Sequence, residues 1–505
     1  MSQSQSSLRS VGILTICSFV QLGIQFGIQL VLARQFGTTD EMDTYVAAMS
    51  LPTVLSAVLV GSLNSAFLPV YMTCRLNDGE ASAHRFSSQL GVWIFAVTAL
   101  IATVSFLYPE FLMAKLHPGF TEEKVRQTAI IFRFLIWLTI TNGLTSFSGV
   151  LHHGEKRFRI PAFSGLAGVG LTFSLLFIES YRSTPTGVAQ AVLLGSIVCV
   201  LLQSKLFLSC FSWSRKIHPV IKTFFIRWSP IIIASLLVQI GELVNRSLAS
   251  GKAGSISELG FAWRIISSMQ VLMSGFSVVI FPTLSAQHAT NQMESFVTEV
   301  AHGWRFMAVL LIPICAGLAF FSEPIIRDLF QRGEFTAEDT QKVAFLVVLF
   351  LGVLAGSVLG TIAVQTLNAL KDTLTPALLA VIVIPISIFF KFQFGNTHSY
   401  GVPGIAVVTS LTFLFSVTIL VFIIRKRVGK GIFKGLLKTS SVTILSTGIA
   451  LGLSALVIQL PIRYSALIAA PVGAVSYLLT MWALRNEFAI RMMGYLIRKR
   501  PDSTT

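Results

Sequence analysis

Long apolar segments, separated by short charged or Pro- and Gly-containing stretches, dominate the pattern of residues along the chain. A membrane-spanning helix needs about 20 consecutive, mainly apolar residues, and most of these segments reach that length. The least regular segment is the eighth, because Arg264 and several serines interrupt it. We therefore predict an all-α polytopic membrane protein with about fourteen transmembrane helices. Their predicted spans are 10–32, 43–72, 86–108, 127–150, 159–179, 186–211, 226–250, 257–285, 304–322, 340–366, 374–393, 402–425, 437–459 and 463–486.

Composition supports a membrane protein and excludes several soluble classes. Of the 505 residues 53% are hydrophobic and 12% are charged, about half the charged fraction of a soluble domain. A soluble enzyme, a nucleic-acid-binding protein and a disordered scaffold are therefore not expected. The five cysteines are odd in number and predict no disulfide framework.

The net charge of +16 predicts the orientation of the chain rather than a nucleic-acid partner. One set of alternate loops carries roughly 23 Lys and Arg against 8 Asp and Glu, and the other set roughly 11 against 12, which indicates a cytoplasmic location for the first set. The basic set includes Lys156-Arg157, Arg215-Lys216 and Arg498-Lys499-Arg500. We predict that both termini lie in the cytoplasm.

An internal repeat divides the predicted helices. Phe67-Leu68-Pro69 resembles Ile280-Phe281-Pro282, and the stretch from Gly154 to Pro161 resembles the stretch from Ala369 to Pro376. Both offsets are about six helices, an even number, which makes the two halves parallel, as in some transporter repeats. Chance matches between common Pro-containing helix ends are the alternative. We predict a first six-helix lobe over 1–222, a second over 223–430, and two extra helices with a basic tail over 431–505.

No motif for covalent chemistry occurs in the sequence. It contains no phosphate-cradling G-x-x-x-x-G-K-[ST] loop, no H-E-x-x-H and no C-x-x-C. The loops are too short to hold a catalytic domain. We predict a transporter that is not an enzyme and needs no cofactor, and the sequence leaves open whether it uses the membrane potential, Na+ or H+.

Polar residues inside the predicted spans mark candidate substrate contacts, because they are costly in a bilayer and usually face the interior of the protein or a wet cavity. Gln21, Gln25 and Gln29 recur every four residues and share one face of the first helix. Asp43 opens the second helix. The alternatives are hydrogen bonding between helices for the glutamines and a helix cap for Asp43.

The seventh and eighth helices carry the remaining candidates. Glu242 and Arg246 share a face of the seventh helix, with Asn245 beside them, and could simply pair with one another. Arg264 has no acidic residue three or four positions away, so it needs a partner from elsewhere and is the strongest candidate.

These residues lie in stretches that resemble the MurJ/MviN family of lipid II flippases, within the multidrug/oligosaccharidyl-lipid/polysaccharide exporter superfamily. The order and spacing of the matches over roughly 350 residues make the resemblance specific. The matching stretches are Ala33-Arg34-Gln35-Phe36-Gly37, Asp43-Thr44-Tyr45, Leu51-Pro52, Ala66-Phe67-Leu68-Pro69-Val70, Arg157-Phe158-Arg159-Ile160-Pro161-Ala162-Phe163, Asn245-Arg246-Ser247-Leu248-Ala249-Ser250, Ala262-Trp263-Arg264, Phe281-Pro282-Thr283-Leu284-Ser285, Arg332-Gly333-Glu334-Phe335-Thr336, Asn368-Ala369-Leu370-Lys371-Asp372-Thr373 and Thr375-Pro376.

The resemblance implies two pseudo-symmetric lobes and a central cavity lined by helices 1, 2, 7 and 8. It also implies alternating access that moves an undecaprenyl-pyrophosphate-linked saccharide, lipid II in the family, from the inner to the outer leaflet. Asp43 falls on an acidic family position and Arg264 on a cavity arginine. The extra helices over 437–486 would form a groove for the lipid tail.

Some departures from the family pattern keep a second substrate open. Family members usually carry arginines in the first helix and after the Leu-Pro of the second, where this chain has Leu22, Ile28, Ser56 and Ala57. A diphosphate prefers several charge-assisted donors, whereas amides suit sugar hydroxyls. A capsule, exopolysaccharide or O-antigen lipid is therefore the alternative substrate. A MATE-like cation or drug antiporter and a transport-inactive scaffold are further alternatives.

The resemblance also implies a candidate site for a sodium ion. Some family members bind sodium through an acid on helix 7 and Asn or Asp near helix 11, where this chain has Asn245, Asn368 and Asp372. A helix-loop cap is the alternative for the last two.

We assign Arg264 and Arg246 to the pyrophosphate, Gln25 and Gln29 to the sugar or peptide, and Asp43 to gating, with the cell-envelope synthesis machinery as a candidate partner.

Overall fold

A computed structural model describes residues 3–155, 157–209, 211, 216–396, 399–460, 464–488 and 490 of the chain, and every regular element in these ranges is helical. The first ten helices are α1 (Gln3–Phe36), α2 (Asp40–Ala48), α3 (Ser50–Asp78), α4 (Glu80–Leu107), α5 (Pro109–Leu116), α6 (Glu122–Leu135), α7 (Leu138–Gly154), α8 (Arg159–Leu175), α9 (Glu179–Arg182) and α10 (Pro185–Ser209). The others are α11 (Pro219–Ala249), α12 (Ser255–Ala289), α13 (Met293–Phe330), α14 (Ala337–Leu349), α15 (Leu351–Ala369), α16 (Leu374–Phe394), α17 (Gly401–Val428), α18 (Leu436–Ile458) and α19 (Ser465–Ala483). A short 3₁₀ helix covers Lys430–Phe433.

Five of the basic residues used to predict the orientation lie outside the described residues. They are Lys156, Arg215 and the tail that contains Arg498, Lys499 and Arg500. The first residue of the last predicted span, at 463, lies outside them as well.

The all-α polytopic fold is confirmed, since each of the fourteen predicted spans coincides with a helix or with two consecutive helices. Within the described residues, twelve helical stretches are long and apolar enough to cross a membrane. The predicted spans outside this set are α8, with 17 residues, and α12, which contains Glu258 and Arg264. At 1.5 Å per residue α8 is about 26 Å long, slightly shorter than the hydrocarbon core of a bilayer.

Three predicted spans are interrupted by short breaks that the apolar pattern did not predict. The second span is α2 followed by α3, the fourth is α6 followed by α7, and the tenth is α14 followed by α15. Some interruptions recur in both halves of the chain. Trp137 and Phe350 lie at breaks about 213 residues apart, and the break at Tyr108 is matched about 213 residues later by the non-helical φ and ψ of Phe321. The recurrence extends the internal repeat from sequence to helix boundaries.

Residue contacts divide the chain into two compact units. The first compact unit contains Met1–Ser257 together with Arg332–Phe335, and the second contains Glu258–Gln331 together with Thr336–Thr505. Helix α11 belongs to the first unit because it packs along α3. The lobes over 1–222 and 223–430 were drawn from the sequence repeat rather than from contacts, and they stay a prediction.

The core of the first unit is a cluster of aromatic rings contributed by α3, α4, α7 and α11. Phe67 stacks on Tyr71 at a centroid distance of 5.3 Å and meets Phe147 edge-on at 5.3 Å. Phe86 lies 5.7 Å from Phe67 and 6.1 Å from Phe224. All five side chains are fully buried. Edge and offset contacts of this kind add to the stabilisation from buried area, so these rings hold the four helices together.

Helices α18 and α19 dock on α13 in the second unit through polar contacts as well as apolar packing. The hydroxyl of Tyr477 donates a hydrogen bond to the carbonyl of Val309 at 2.7 Å. The buried carboxylate of Asp328 accepts one from the backbone N–H of Ala466 at 2.8 Å. Ala466 lies in the first turn of α19, where the backbone N–H groups have no acceptor within the helix. The two helices that follow the repeat are therefore anchored to α13 at two points.

We expect Asp328→Ala to lower the free energy of unfolding by about 1–2 kcal/mol, because it removes a capping acceptor from the first turn of α19. Thermal unfolding of the purified protein in detergent measures the change. The control is Glu323→Ala on the same helix, whose side chain is exposed and whose loss should have no effect. Equal melting temperatures for the two variants would contradict the docking role of Asp328.

Candidate functional site

A fully buried carboxylate, Asp43, is the centre of a polar cluster in the first unit. Its Oδ2 accepts a hydrogen bond from the backbone N–H of Gly254 at 2.8 Å, and its Oδ1 accepts two from Ser257, through the backbone N–H at 2.9 Å and the hydroxyl at 2.8 Å. The ammonium of Lys124 lies 3.1 Å from Oδ2. Four donors from two distant stretches of the chain therefore satisfy one carboxylate.

Helix termini explain why these groups meet. Asp43 lies in the acidic first turn of α2, and its acceptors face the first N–H groups of α12, where the helix dipole favours a negative charge. Lys124 lies in the first turn of α6, bridges to Asp40 at 2.5 Å and stands 4.4 Å from the ring centre of Phe120. The cluster therefore ties the starts of three helices to one another.

Close backbone approach surrounds this cluster. Gly254 has a φ of +78°, and a Cβ at this position would collide with the carbonyl of Thr38. A Cβ on Gly119 would lie 2.5 Å from the Cα of Gly251, and the N–H of Gly119 donates to the Ser250 hydroxyl at 3.0 Å. A larger residue at Gly119 would separate the loop before α6 from the turn before α12, and a larger residue at Gly254 would separate that turn from the residues before α2.

His117 connects the Asp43 cluster to Arg246. The imidazole is 1% exposed and stacks on Phe120 at 5.2 Å. Burial lowers the pKa of His117 to about 4, and the positive charges of Arg246 and Lys124 act in the same direction. His117 is therefore neutral at physiological pH, while Asn245 is buried next to Arg246 on α11.

The predicted glutamine face of α1 divides between two environments. Gln21 and Gln25 line a cavity of about 490 Å3 inside the first unit, whose other walls come mainly from α7, α8 and α10. Gln29 is half-buried further along α1 and does not line this cavity. Glu242 is half-buried on α11.

Arg264 belongs to the second unit, on α12. It is half-buried, and its backbone carbonyl accepts hydrogen bonds from the hydroxyls of Ser267 at 3.1 Å and Ser268 at 2.8 Å. One turn further on, Gln270 donates to Ser357 of α15 at 2.7 Å. The structure thus gives this part of α12 several polar side chains in an apolar helix.

The three residues proposed for an ion site divide between the units. Asn245 lies in the first unit, and Asn368 and Asp372 lie in the second. The carboxylate of Asp372 accepts hydrogen bonds from the backbone N–H of Thr375 at 3.0 Å, from its hydroxyl at 2.6 Å and from Arg427 at 2.5 Å. The bonds from Thr375 hold the pKa of Asp372 below its ordinary value. Asp372 therefore caps α16, and the ion site stays a prediction.

One cluster in the described residues has the side-chain types of a metal site. Glu80, His84 and Glu155 bring one ligand atom each within 4.8 Å of one another. Arg75 lies 3.1 Å from Glu80 and 3.0 Å from Glu155, and Tyr71 donates to Glu155 at 2.6 Å. Arg75 already pairs with both carboxylates, so the cluster is an ion-pair network at the end of α3, the start of α4 and the end of α7.

An apolar cavity of about 960 Å3 lies in the second unit, lined mainly by α16 and α17. It does not involve α18 or α19, which the sequence predicted to form a groove for the lipid tail. That groove stays a prediction.

Three contributors to these sites were missed in the sequence. Lys124 looked like an ordinary charge at a helix start, and Ser257 like one of several serines in the eighth span. Gln203, a buried amide near the end of α10, also went unnoticed. A polar residue in an apolar stretch was the available signal for Gln203, as it was for Gln21.

Asp43→Ala should lower the free energy of unfolding by about 3–5 kcal/mol, because it leaves the backbone N–H groups of Gly254 and Ser257 without their buried acceptor and removes one of the two carboxylates that pair with Lys124. Asp40→Ala is the matched control. Asp40 contacts the same Lys124 but is 61% exposed, so its loss should cost at most about 1 kcal/mol. Unfolding in mixed micelles measures both, and equal losses would contradict the central role of Asp43.

The pKa of His117 predicts a specific sensitivity to acid. Because the folded-state pKa of about 4 lies below the ordinary value of 6.5, stability is complete above pH 6.5 and is lost as the pH falls towards 4. The full loss corresponds to about 3 kcal/mol. His117→Phe keeps the ring on Phe120 and should flatten this part of the pH profile of the unfolding free energy. An unchanged profile would be evidence against a neutral, buried imidazole.

Comparison with known proteins identifies the family. A model of the family described as lipid II flippase MurJ matches residues 32–473. The probable lipid II flippase MurJ of Rickettsia prowazekii is 26% identical over 402 residues, which cover 77% of this chain and 78% of the relative. The lipid II flippase MurJ of Burkholderia cenocepacia is 24% identical over 430 residues, covering 80% and 82%.

Solved structures agree at the level of the fold. A lipid II flippase MurJ in an inward closed conformation superposes with a TM-score of 0.79 at 20% identity, covering 94% of this chain and 99% of that one. An inward-facing MATE family transporter of the MOP superfamily gives a TM-score of 0.69 at 16% identity, covering 84% and 99%. Because the family match extends over most of the chain and the relatives are named as flippases, the protein is a multi-pass membrane transporter rather than an enzyme, and it belongs to the MurJ family of lipid II flippases.

Proposed function

We propose that this protein moves lipid II, an undecaprenyl-pyrophosphate-linked peptidoglycan precursor, from the inner to the outer leaflet by alternating access. The observation that carries the proposal is the family match over 32–473, together with relatives named for lipid II at similar length. The fold of a MurJ supports the same mechanism.

Charge supports an anionic substrate. The negative charge of Asp43 is stabilised within its own cluster, by Lys124 at 3.1 Å and by the backbone N–H groups of Gly254 and Ser257, and does not require Arg246 or Arg264 as a partner. Arg246 lies near a neutral His117 in the first unit. A pyrophosphate favours such cations because charge-assisted hydrogen bonds are strong where water is scarce. We assign Arg246 and Arg264 to the pyrophosphate.

Asp43 is suited to a gating role. Its contacts join the starts of α2, α6 and α12, and such contacts can break only if the freed backbone donors find water. The predicted orientation puts these helix starts on the outer side of the membrane. The cluster would therefore stabilise the state that is closed to the outside and give way when the substrate is released.

The membrane potential is the driving force that the substrate chemistry favours. A headgroup with about two negative charges moves from the negative interior to the outside, which releases about 2.3 kcal/mol per charge per 100 mV. Asp372 is already engaged by Thr375 and Arg427, so an ion coupled through it would have to displace them. The inner membrane of a bacterium, with both termini in the cytoplasm, and contact with the cell-envelope synthesis machinery belong to this proposal.

A second lipid-linked glycan is the competing substrate, and the uncharged residues Leu22, Ile28 and Ser56 favour it. A capsule, exopolysaccharide or O-antigen lipid shares the pyrophosphate but not the peptide. Cation or drug antiport is disfavoured, since Arg246 and Arg264 would repel a cation.

The test is complementation of a bacterium whose own lipid II flippase is shut off, with leaflet labelling of lipid II in the same cells. The wild-type chain should restore growth and outward labelling. If a well-expressed, correctly inserted chain fails, the lipid II assignment is wrong, and surface polysaccharide in a deletion strain becomes the assay for the competing substrate.

Arg264→Ala should reduce outward labelling by about 10- to 100-fold, because it removes a charge-assisted contact. Arg264→Lys should retain part of the activity. The control is Arg126→Ala, whose side chain is 71% exposed and whose loss should leave labelling unchanged. Normal labelling by Arg264→Ala at normal expression would show that Arg264 does not bind the headgroup.

A further inference from the structure

The cavity of about 490 Å3 lies entirely within the first unit. Its walls come mainly from α1, α7, α8 and α10, and Pro161 at the start of α8 lies at one end of it. Its volume falls within the range of small-molecule sites, about 300–1,000 Å3. It is therefore large enough for a sugar ring and the water around it.

A residue that lines this cavity carries an unsatisfied acceptor. Gln203 is 2% exposed and lines the cavity. Its Nε2 donates to the hydroxyl of Ser164 at 2.8 Å, whereas its Oε1 is buried and has no hydrogen-bond partner among the described residues. Buried polar atoms are nearly always paired. The Oε1 of Gln203 therefore needs a hydrogen-bond donor, which a bound ligand or a water molecule can supply.

The rest of the polar lining consists of amides and hydroxyls together with the imidazole of His153 and the thiol of Cys199. Gln21, Gln25, Asn142, Thr145 and Ser146 contribute to it. The structure describes every lining residue, and none of them is Asp, Glu, Lys or Arg. A cationic ligand would lose its hydration here without gaining a counter-charge, and an anionic ligand would meet no lysine or arginine. A neutral ligand with several hydroxyl or amide groups loses much less.

Two glycines lie next to the side-chain amides of Gln21 and Gln203, where a larger residue would cover the amide oxygen. A Cβ on Gly165 would lie 3.1 Å from the Oε1 of Gln21, and a Cβ on Gly149 would lie 3.9 Å from the Oε1 of Gln203. The second distance is an ordinary van der Waals contact, so a methyl group fits at Gly149 without moving the backbone. It would nevertheless occupy the space in which a donor must approach Gln203.

We propose that this cavity is a binding site for a neutral saccharide unit that carries hydroxyl and amide N–H groups, one of which donates to the Oε1 of Gln203. Two sources share this chemistry, a free sugar and the headgroup of the lipid-linked substrate. Only the second source rests on the proposed function. In the predicted orientation, Gln203 and Pro161 are nearer the cytoplasmic side, from which such a headgroup would be loaded.

The first experiment measures binding of N-acetylglucosamine to the full-length protein in lipid nanodiscs by ligand-observed NMR. Glucosamine, a cation at neutral pH, and glucuronate, an anion, are the matched probes. The wild-type protein should bind the neutral sugar saturably and at least about tenfold more tightly than either charged one. No saturable binding, or equal binding of all three sugars, would overturn the proposal and leave a cavity that holds only water.

Gly149→Ala tests the position of the ligand. It should weaken binding of N-acetylglucosamine about tenfold or more, while Gly170→Ala, at a position with nothing within 4 Å of the added Cβ, should leave it unchanged. A melting temperature equal to that of the wild type shows that Gly149→Ala folds. Unchanged binding by this folded variant would overturn the assignment of the site.

Competition between the sugar and lipid II distinguishes the two sources. If the headgroup uses the cavity, N-acetylglucosamine competes with lipid II and Gly149→Ala reduces leaflet labelling. If a free sugar is the ligand, the sugar still binds but does not compete, and labelling by Gly149→Ala is normal. Both results support the site. If the wild-type chain fails to transport lipid II but still binds the sugar, the proposed function is refuted and the proposed binding site is still supported.

Discussion

A carboxylate that is removed from water must be given donors by the protein, and this requirement governs one end of the first unit. Asp43 receives two backbone N–H groups, a hydroxyl and an ammonium, from residues more than 80 or 200 positions away in the chain. Taking such a charge out of water is expensive unless its partners are in place. The start of α12, the first turn of α6 and the turn at Gly254 are therefore held in one arrangement.

Much of the fold follows from the length of the apolar segments, because a bilayer admits few alternatives to a continuous helix. The helix breaks at Met49, Trp137 and Phe350 did not follow from it. The break at Met49 has a local signal, because Pro52 has no N–H to donate to the carbonyl of Ala48, the last residue of α2, and its ring clashes with that carbonyl. No proline lies within four residues after Trp137 or Phe350, so the sequence gives no comparable signal at those two breaks. The correspondence of the breaks at Trp137 and Phe350 in the two halves became visible only when helix boundaries, rather than residues, were compared.

The candidate sites were less predictable than the fold, for reasons of distance along the chain. Gln21 and Gln25 were found because they repeat on one helix face, but the cavity that they line is completed by Gln203 some 180 residues later. Asp43 was recognised as an unusual acid, whereas Lys124 was not, since a lysine in a first turn is usually solvated. A single sequence marks polar residues in apolar surroundings. It does not say which of them satisfy one another.

The paired interruptions also bear on how the protein moves. Residues at an interruption can change φ and ψ without breaking the hydrogen bonds of a long helix, which is the usual property of a hinge. Phe321 already departs from helical geometry, and Tyr108 does so at the equivalent point of the first half. Each half of the chain therefore has a candidate hinge at a corresponding position. Duplication of one ancestral six-helix segment would explain this correspondence.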